Sequence, residues 1–289
     1  MKKNPAASAY ARLLDKSRRD GEDFQRLLVR YGIERILVRI AQSPCADDFV
    51  LKGATLFAHW FGAPHRATKD LDLHGRGEPD VERLVGMFRE IVRVPCEEDG
   101  LVFSPEHIVG KPIREDALYH GVRLLVPFRL DSARMKLQVD VGMGDTIVPS
   151  PTYVEVGSML GMPPARLRAY PPETVVAEKL EALVVRGLTT SRIKDLYDLE
   201  HLQRHVKFDD TLVTAVKATF ARRRTPLPTE LPIGLSDHFA NDPAKQQDWK
   251  KFLGKATPDD HRPLADVITT LRAWLWPVLQ RAALSSRPE

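Results

Sequence analysis

The sequence predicts an α+β fold, a mixed sheet flanked by helices followed by a helical C-terminal half. Three observations predict it. Apolar residues recur at helical spacing before Ser43 and again after Glu173. Between about residue 100 and Val141 they fall instead into short runs broken by polar or glycine-containing stretches, the pattern of antiparallel strands. A third stretch, Val50 to His74, passes from strand to glycine turn to short helix and back to strand. A length of 289 residues at 43% hydrophobic content suffices for two packed units. The expected division is an α/β domain with N-terminal helices over 1–150 and a mainly helical domain over 151–289.

From about Ala7 to Gln42 the chain reads as helices, with Phe24, Leu27, Leu28, Tyr31, Ile36, Leu37 and Ile40 on the apolar side and Ser43-Pro44 as the stop. Asp48 to Leu51 leads into the glycine turn. A short helix is predicted from Ala54 to Phe61, stopped by Gly62-Ala63-Pro64, then a strand over Asp70-Leu71-Asp72-Leu73. Pro79 to Val94 is an amphipathic helix burying Val81, Leu84, Val85, Phe88 and Val92. Strands are predicted over Gly100–Phe103, Ile108–Arg114, Gly121–Leu130 and Met135–Val141. The proline-rich stretch from Pro149 to Pro172 marks a transition. Helices follow over Thr174–Gly187, from Ser191 to about His205, from about residue 208 to Arg222, over Pro243–Leu253 and over Pro263–Ala283. Trp249, Phe252, Trp274 and Trp276 read as packing residues rather than base-stacking platforms.

Composition narrows the class. No apolar run approaches the roughly 20 residues that span a bilayer, and MKKNPAASAYARLLDKSRRD lacks the apolar segment of a signal peptide. Cys45 and Cys96 have no metal-ligand spacing and read as free thiols of a cytoplasmic protein. A net charge of +4 permits a polyanionic partner without demanding one. There is no G-x-x-x-x-G-K-[ST] loop, and His201 and His205 lack the HExxH setting of a zinc pair.

The chemistry gathers in VLKGATLFAHWFGAPHRATKDLDLH, residues 50–74. Asp70 and Asp72 sit two apart on a strand and so share a face, while Leu71 and Leu73 point into the core. Adjacent carboxylates repel unless a cation lies between them, and Mg²⁺ suits both carboxylate and phosphate oxygens. Gly53 permits a tight turn into a helix whose first N–H groups can cradle a phosphate, with the Thr55 hydroxyl and the Lys52 charge beside it. Asp140, on the alternating run Lys136 to Val141, is a third ligand if its strand lies beside Asp70–Leu73. A phosphate cradle followed by paired carboxylates is the layout of a nucleotidyltransferase site.

The ordered segments KGAT, TKDLDL, VDVG, AEKLEAL and RIKDLYDL resemble the AbiEii-type nucleotidyltransferase toxins of bacterial toxin–antitoxin systems, including the MenT-like members. The resemblance covers roughly Asp48 to Leu202 and departs from the family at Ala54, where a second glycine or a serine is usual. It implies a nucleotidyltransferase-like sheet and transfer of a nucleotide from an NTP with Mg²⁺. By resemblance, Asp70, Asp72, Lys179 and Asp195 are catalytic, with Asp198 the alternative acid. Lys52, Gly53, Ala54, Thr55 and Thr68 bind the nucleotide, and Asp70, Asp72 and Asp140 hold metal. Thr68 is expected as a phosphate neighbour or a site of modification, and Asp195 as a general base or an orienter of Lys179. The resemblance further implies the tRNA 3′ end as acceptor and a cognate antitoxin as partner. An antibiotic-modifying nucleotidyltransferase, or a nucleotide-binding module without activity, shares the same turn and aspartates.

Overall fold

The computed structural model describes residues 4–61, 68–116, 119–207, 209–256 and 262–284. The chain divides into two compact units, one of residues 1–144 with 152–169, the other of residues 145–151 with 170–289.

The first unit opens with α1 (Pro5–Asp20) and α2 (Phe24–Gln42), whose starts are capped by the side chains of Asn4 and Asp23. There follow β1 (Phe49–Lys52), α3 (Thr55–Phe61), β2 (Asp70–Gly75) and α4 (Val81–Ile91). The Gly62-Ala63-Pro64 stop expected for α3 lies outside the described residues. Next come β3 (Leu101–Phe103), β4 (Val109–Asp116), β5 (Tyr119–Leu130) and β6 (Ala133–Met143). Two more strands, β7 (Thr152–Val156) and β8 (Ala165–Ala169), complete an eight-stranded sheet in the order β3-β5-β6-β2-β1-β8-β7, with β4 also on β5. The sheet is mixed: β1 and β2 are antiparallel, β2 and β6 parallel, and β5 and β6 antiparallel.

The 149–172 stretch corrects the sequence reading. The sequence marks it only as a proline-rich transition, almost all of it within the 151–289 span assigned to the helical domain, yet β7 and β8 form a hairpin, and β8 joins β1 in parallel through Leu51 and Ala169. The prolines lie outside both strands, where they remove no ladder hydrogen bond.

Period-2 alternation sets the two faces of the sheet. Leu71, Leu73, Leu137, Val139 and Val141 are fully buried, whereas Asp70, Asp72, His74, Gln138 and Asp140 alternate with them and are half-buried. Helices α2 and α4 cover the apolar face. Phe88 of α4 meets Phe49 edge-to-face with ring centroids 5.6 Å apart. Gly32 lets α2 approach Phe128, since a Cβ there would stand 2.8 Å from the ring.

The second unit is helical: α5 (Pro172–Arg186), α6 (Ile193–Leu202), α7 (Asp210–Arg222), α8 (Asp237–Asn241), α9 (Pro243–Ala256) and α10 (Leu264–Leu284). Its core includes Val176, Leu180, Leu199, Leu202, Val216, Phe220, Leu271, Leu275 and Leu279. Trp249 and Trp274 are buried there, and the Trp249 indole N–H donates to the Arg262 carbonyl at 2.8 Å. They are packing residues, as expected. Among the described residues no helix is long and apolar enough to cross a membrane.

Candidate active site

Three carboxylates converge on the polar face of the central strands. In the register of the sheet Asp72 stands beside Asp140 on one side and beside Lys52 on the other, and Asp70 beside Gln138. One carboxylate oxygen from each of Asp70, Asp72 and Asp140 lies within 4.8 Å of the others. Among the described residues this is the single group of acids, histidines or cysteines so arranged. The parallel pairing of β2 with β6 brings this about, because it places alternate residues of both strands on the same face.

The glycine turn closes on this group. Gly53 has φ +78°, and a Cβ at that position would fall 2.1 Å from Asp72 Oδ2. Only glycine lets the backbone pass so close to the carboxylate. Two positions on, Thr55 begins α3 with its hydroxyl oxygen buried and without a hydrogen-bond partner among the described residues. A buried hydroxyl left this way is costly unless something else meets it. Ala54 and Lys52 flank the turn, both half-buried. The Thr68 hydroxyl donates to the Asp70 carbonyl at 3.1 Å and lies 3.3 Å from Asp70 Oδ1, so it braces the aspartate directly.

Sequence reasoning missed the partner of Asp140. Arg123 on β5 meets it with a two-pronged ion pair, Nε to Oδ1 at 2.8 Å and Nη2 to Oδ2 at 2.7 Å. Gln138 donates to the same Oδ2 at 3.1 Å. A signal existed. The β5–β6 hairpin turns on two residues, with Leu130 opposite Ala133, and counting back along that ladder puts Arg123 opposite Asp140.

The second unit holds a separate charged group. Lys179, on α5, donates to Asp195 Oδ1 at 2.5 Å and to Asp198 Oδ2 at 2.8 Å, both on α6. Arg192 Nε takes the other oxygen of Asp195 at 2.9 Å. Asp195 and Asp198 share a helix face because they are three apart. The side chains of Lys179, Asp195 and Asp198 are 14%, 8% and 0% exposed, so the ammonium is buried against two carboxylates. Both acids that the sequence left as alternatives therefore hold the lysine. His205 instead places its ring against the His201 carbonyl, and neither histidine enters a metal-ligating group among the described residues.

The family described as "Nucleotidyl transferase AbiEii toxin, Type IV TA system" matches residues 35–275, a span that takes in both charged groups. The chain belongs to the AbiEii family. It is a nucleotidyltransferase of a toxin–antitoxin family, as the sequence resemblance implied, and the family description adds the type IV class. A crystal structure of JHP933 from Helicobacter pylori is similar at 16% identity over 87% of this chain and 91% of that chain, with a TM-score of 0.49. A second protein from H. pylori matches at 16% identity over 88% and 95%, with a TM-score of 0.47. An antigenic nucleotidyltransferase-like protein from Paracoccidioides brasiliensis matches at 13% identity over 82% and 91%, with a TM-score of 0.36. The curated proteins include no match to the chain. For an AbiEii nucleotidyltransferase the donor set is apt: Asp70, Asp72 and Asp140 offer only hard oxygens close enough to share a divalent cation.

Proposed function

We propose that this AbiEii-family chain is a cytoplasmic toxin that transfers a nucleotide from an NTP to the 3′ end of tRNA, using Mg²⁺, and is restrained by a cognate antitoxin. The observation that carries the catalytic part is the convergence of Asp70, Asp72 and Asp140 beside a turn where only glycine fits. Asp70, Asp72 and Asp140 would hold the metal, which would polarise the α-phosphate and neutralise the departing pyrophosphate. In the reaction the acceptor hydroxyl oxygen bonds to the α-phosphorus as the bond to pyrophosphate breaks, and the hydroxyl proton passes to solvent.

The residues of the chain bind and orient. The turn at Lys52, Gly53, Ala54 and Thr55 receives the triphosphate tail, and the unsatisfied Thr55 hydroxyl supports this, since a phosphate oxygen would complete it. Thr68 keeps the Asp70 carboxylate aimed. Lys179 stabilises phosphate charge that grows in the transition state. Asp195 orients Lys179 rather than acting as a base: one of its oxygens is taken up by Lys179 and the other by Arg192.

The choice of tRNA as acceptor rests on the resemblance to MenT-like members of the family. The test incubates the full chain with Mg²⁺, each labelled NTP in turn, and total tRNA. Label at the tRNA 3′ end, lost with Asp70→Asn, supports the reading. Label on an aminoglycoside or on protein instead removes the tRNA assignment and keeps the chemistry.

A further inference from the structure

The ion pair between Arg123 and Asp140 sits inside the group of acids assigned above to the metal, and the role of Arg123 there depends on that assignment. Three carboxylates within 4.8 Å of one another repel strongly in the absence of a cation. Arg123 lies on the neighbouring strand at the register position of Asp140, and its planar fork spans both oxygens. The side chains are only 33% and 16% exposed, so water screens the pair incompletely. The guanidinium stays charged at any working pH. It therefore reduces the repulsion before a metal arrives, and it repels the metal once one does.

We propose that Arg123 is a positioning residue that stands in for the cation at Asp140. It holds the acids of β2 and β6 together in the metal-free protein and weakens metal binding by competing for the same carboxylate. The competition keeps the metal exchangeable and favours its arrival with the nucleotide, whose phosphates supply further oxygen ligands. A residue with a purely structural role would strengthen metal binding or leave it alone. A competitor must weaken it.

The experiment titrates the full-length protein with Mn²⁺ alone, without nucleotide, by calorimetry, and follows the melting temperature with and without Mn²⁺. Arg123→Gln is expected to melt lower than the natural protein without metal, yet to bind Mn²⁺ about tenfold more tightly, so that Mn²⁺ raises its melting temperature further. Arg123→Lys keeps the charge and is expected to stay within about threefold of the natural affinity. Gln138→Ala removes a neutral hydrogen bond to the same oxygen and is likewise expected to leave affinity within about threefold. If Arg123→Gln does not fold, Arg123→Met carries the same expectation. Unchanged or weaker binding in both neutral variants overturns the proposal. Asp70→Asn separates the two levels: if it fails to abolish Mn²⁺ binding, the metal assignment itself is wrong; if it abolishes binding while Arg123→Gln shows no gain, the competition is wrong.

Discussion

The carboxylate of Asp72 occupies the space that any side chain at position 53 would need. A Cβ there would lie 2.1 Å from Oδ2 and 2.7 Å from the Asp72 Cβ and Cγ. Because Gly53 also has φ +78°, Gly53→Ala meets strain and collision together. It is expected to lower nucleotidyl transfer at least about a hundredfold, by displacing Asp72, and to destabilise the fold by about 1–3 kcal/mol. Steady-state transfer and urea unfolding, measured side by side, check both. Full activity in Gly53→Ala would show that Asp72 need not stand where it does.

Metal removal is the second test. EDTA should abolish transfer and an excess of Mg²⁺ or Mn²⁺ restore it. Asp70→Asn and Asp72→Asn are each expected to cost about three orders of magnitude or more in kcat/KM, since each removes a ligand and a charge at once. Activity that persists in EDTA would sink the metal assignment.

Lys179 makes a third, and stability and catalysis pull apart there. Lys179→Met leaves Asp195 and Asp198 buried with less compensation, at a cost of about 3–5 kcal/mol. Adding Asp198→Asn removes one stranded charge, so the double variant is expected to regain part of that stability. It should regain no transfer activity. Recovery of transfer in the double variant would make Lys179 a structural residue only.

A fourth concerns Glu34 on α2, which is buried and accepts from the Met159 backbone N–H at 3.0 Å. Burial pushes its carboxyl from 4.5 up to about 7, against the pull of that hydrogen bond and of Arg30 and Arg35. The folded state thus holds a proton that the unfolded state releases between these values. Its contribution is fully present below about pH 4.5 and is lost as pH rises through 7, by roughly 3 kcal/mol at most. Glu34→Gln keeps an acceptor for Met159 and should be more stable than the natural protein at pH 8, with a flatter stability profile between pH 5 and pH 7. Denaturant midpoints across that range decide it.

Much of the fold and the site is legible in the sequence because the signals are local. The alternation at Asp70–Leu73 and at Lys136–Val141 marks which side chains share a face, and the glycine before Ala54 marks the turn. The rest depends on pairing. The β7–β8 hairpin is hidden because proline composition reports where ladders are interrupted, not where they run. Arg123 escapes notice because an arginine in an apolar strand says nothing until a neighbour's register is known. Thr68 stands out for its position in the motif, while its bond to Asp70 becomes visible only once the strand's start is placed. The lysine motif is recognisable, but that Asp195 and Asp198 both grip Lys179 requires the packing of α5 on α6.

The side-by-side placement of Asp72 and Asp140 on parallel strands has a consequence for how the toxin comes into being. Parallel neighbours need a long crossover, so the stretch between these two aspartates must be synthesised and laid into the sheet before the acids can meet. A growing chain that has emerged only as far as the first of them carries an incomplete group of acids, so the site cannot assemble before the second strand has been laid beside it.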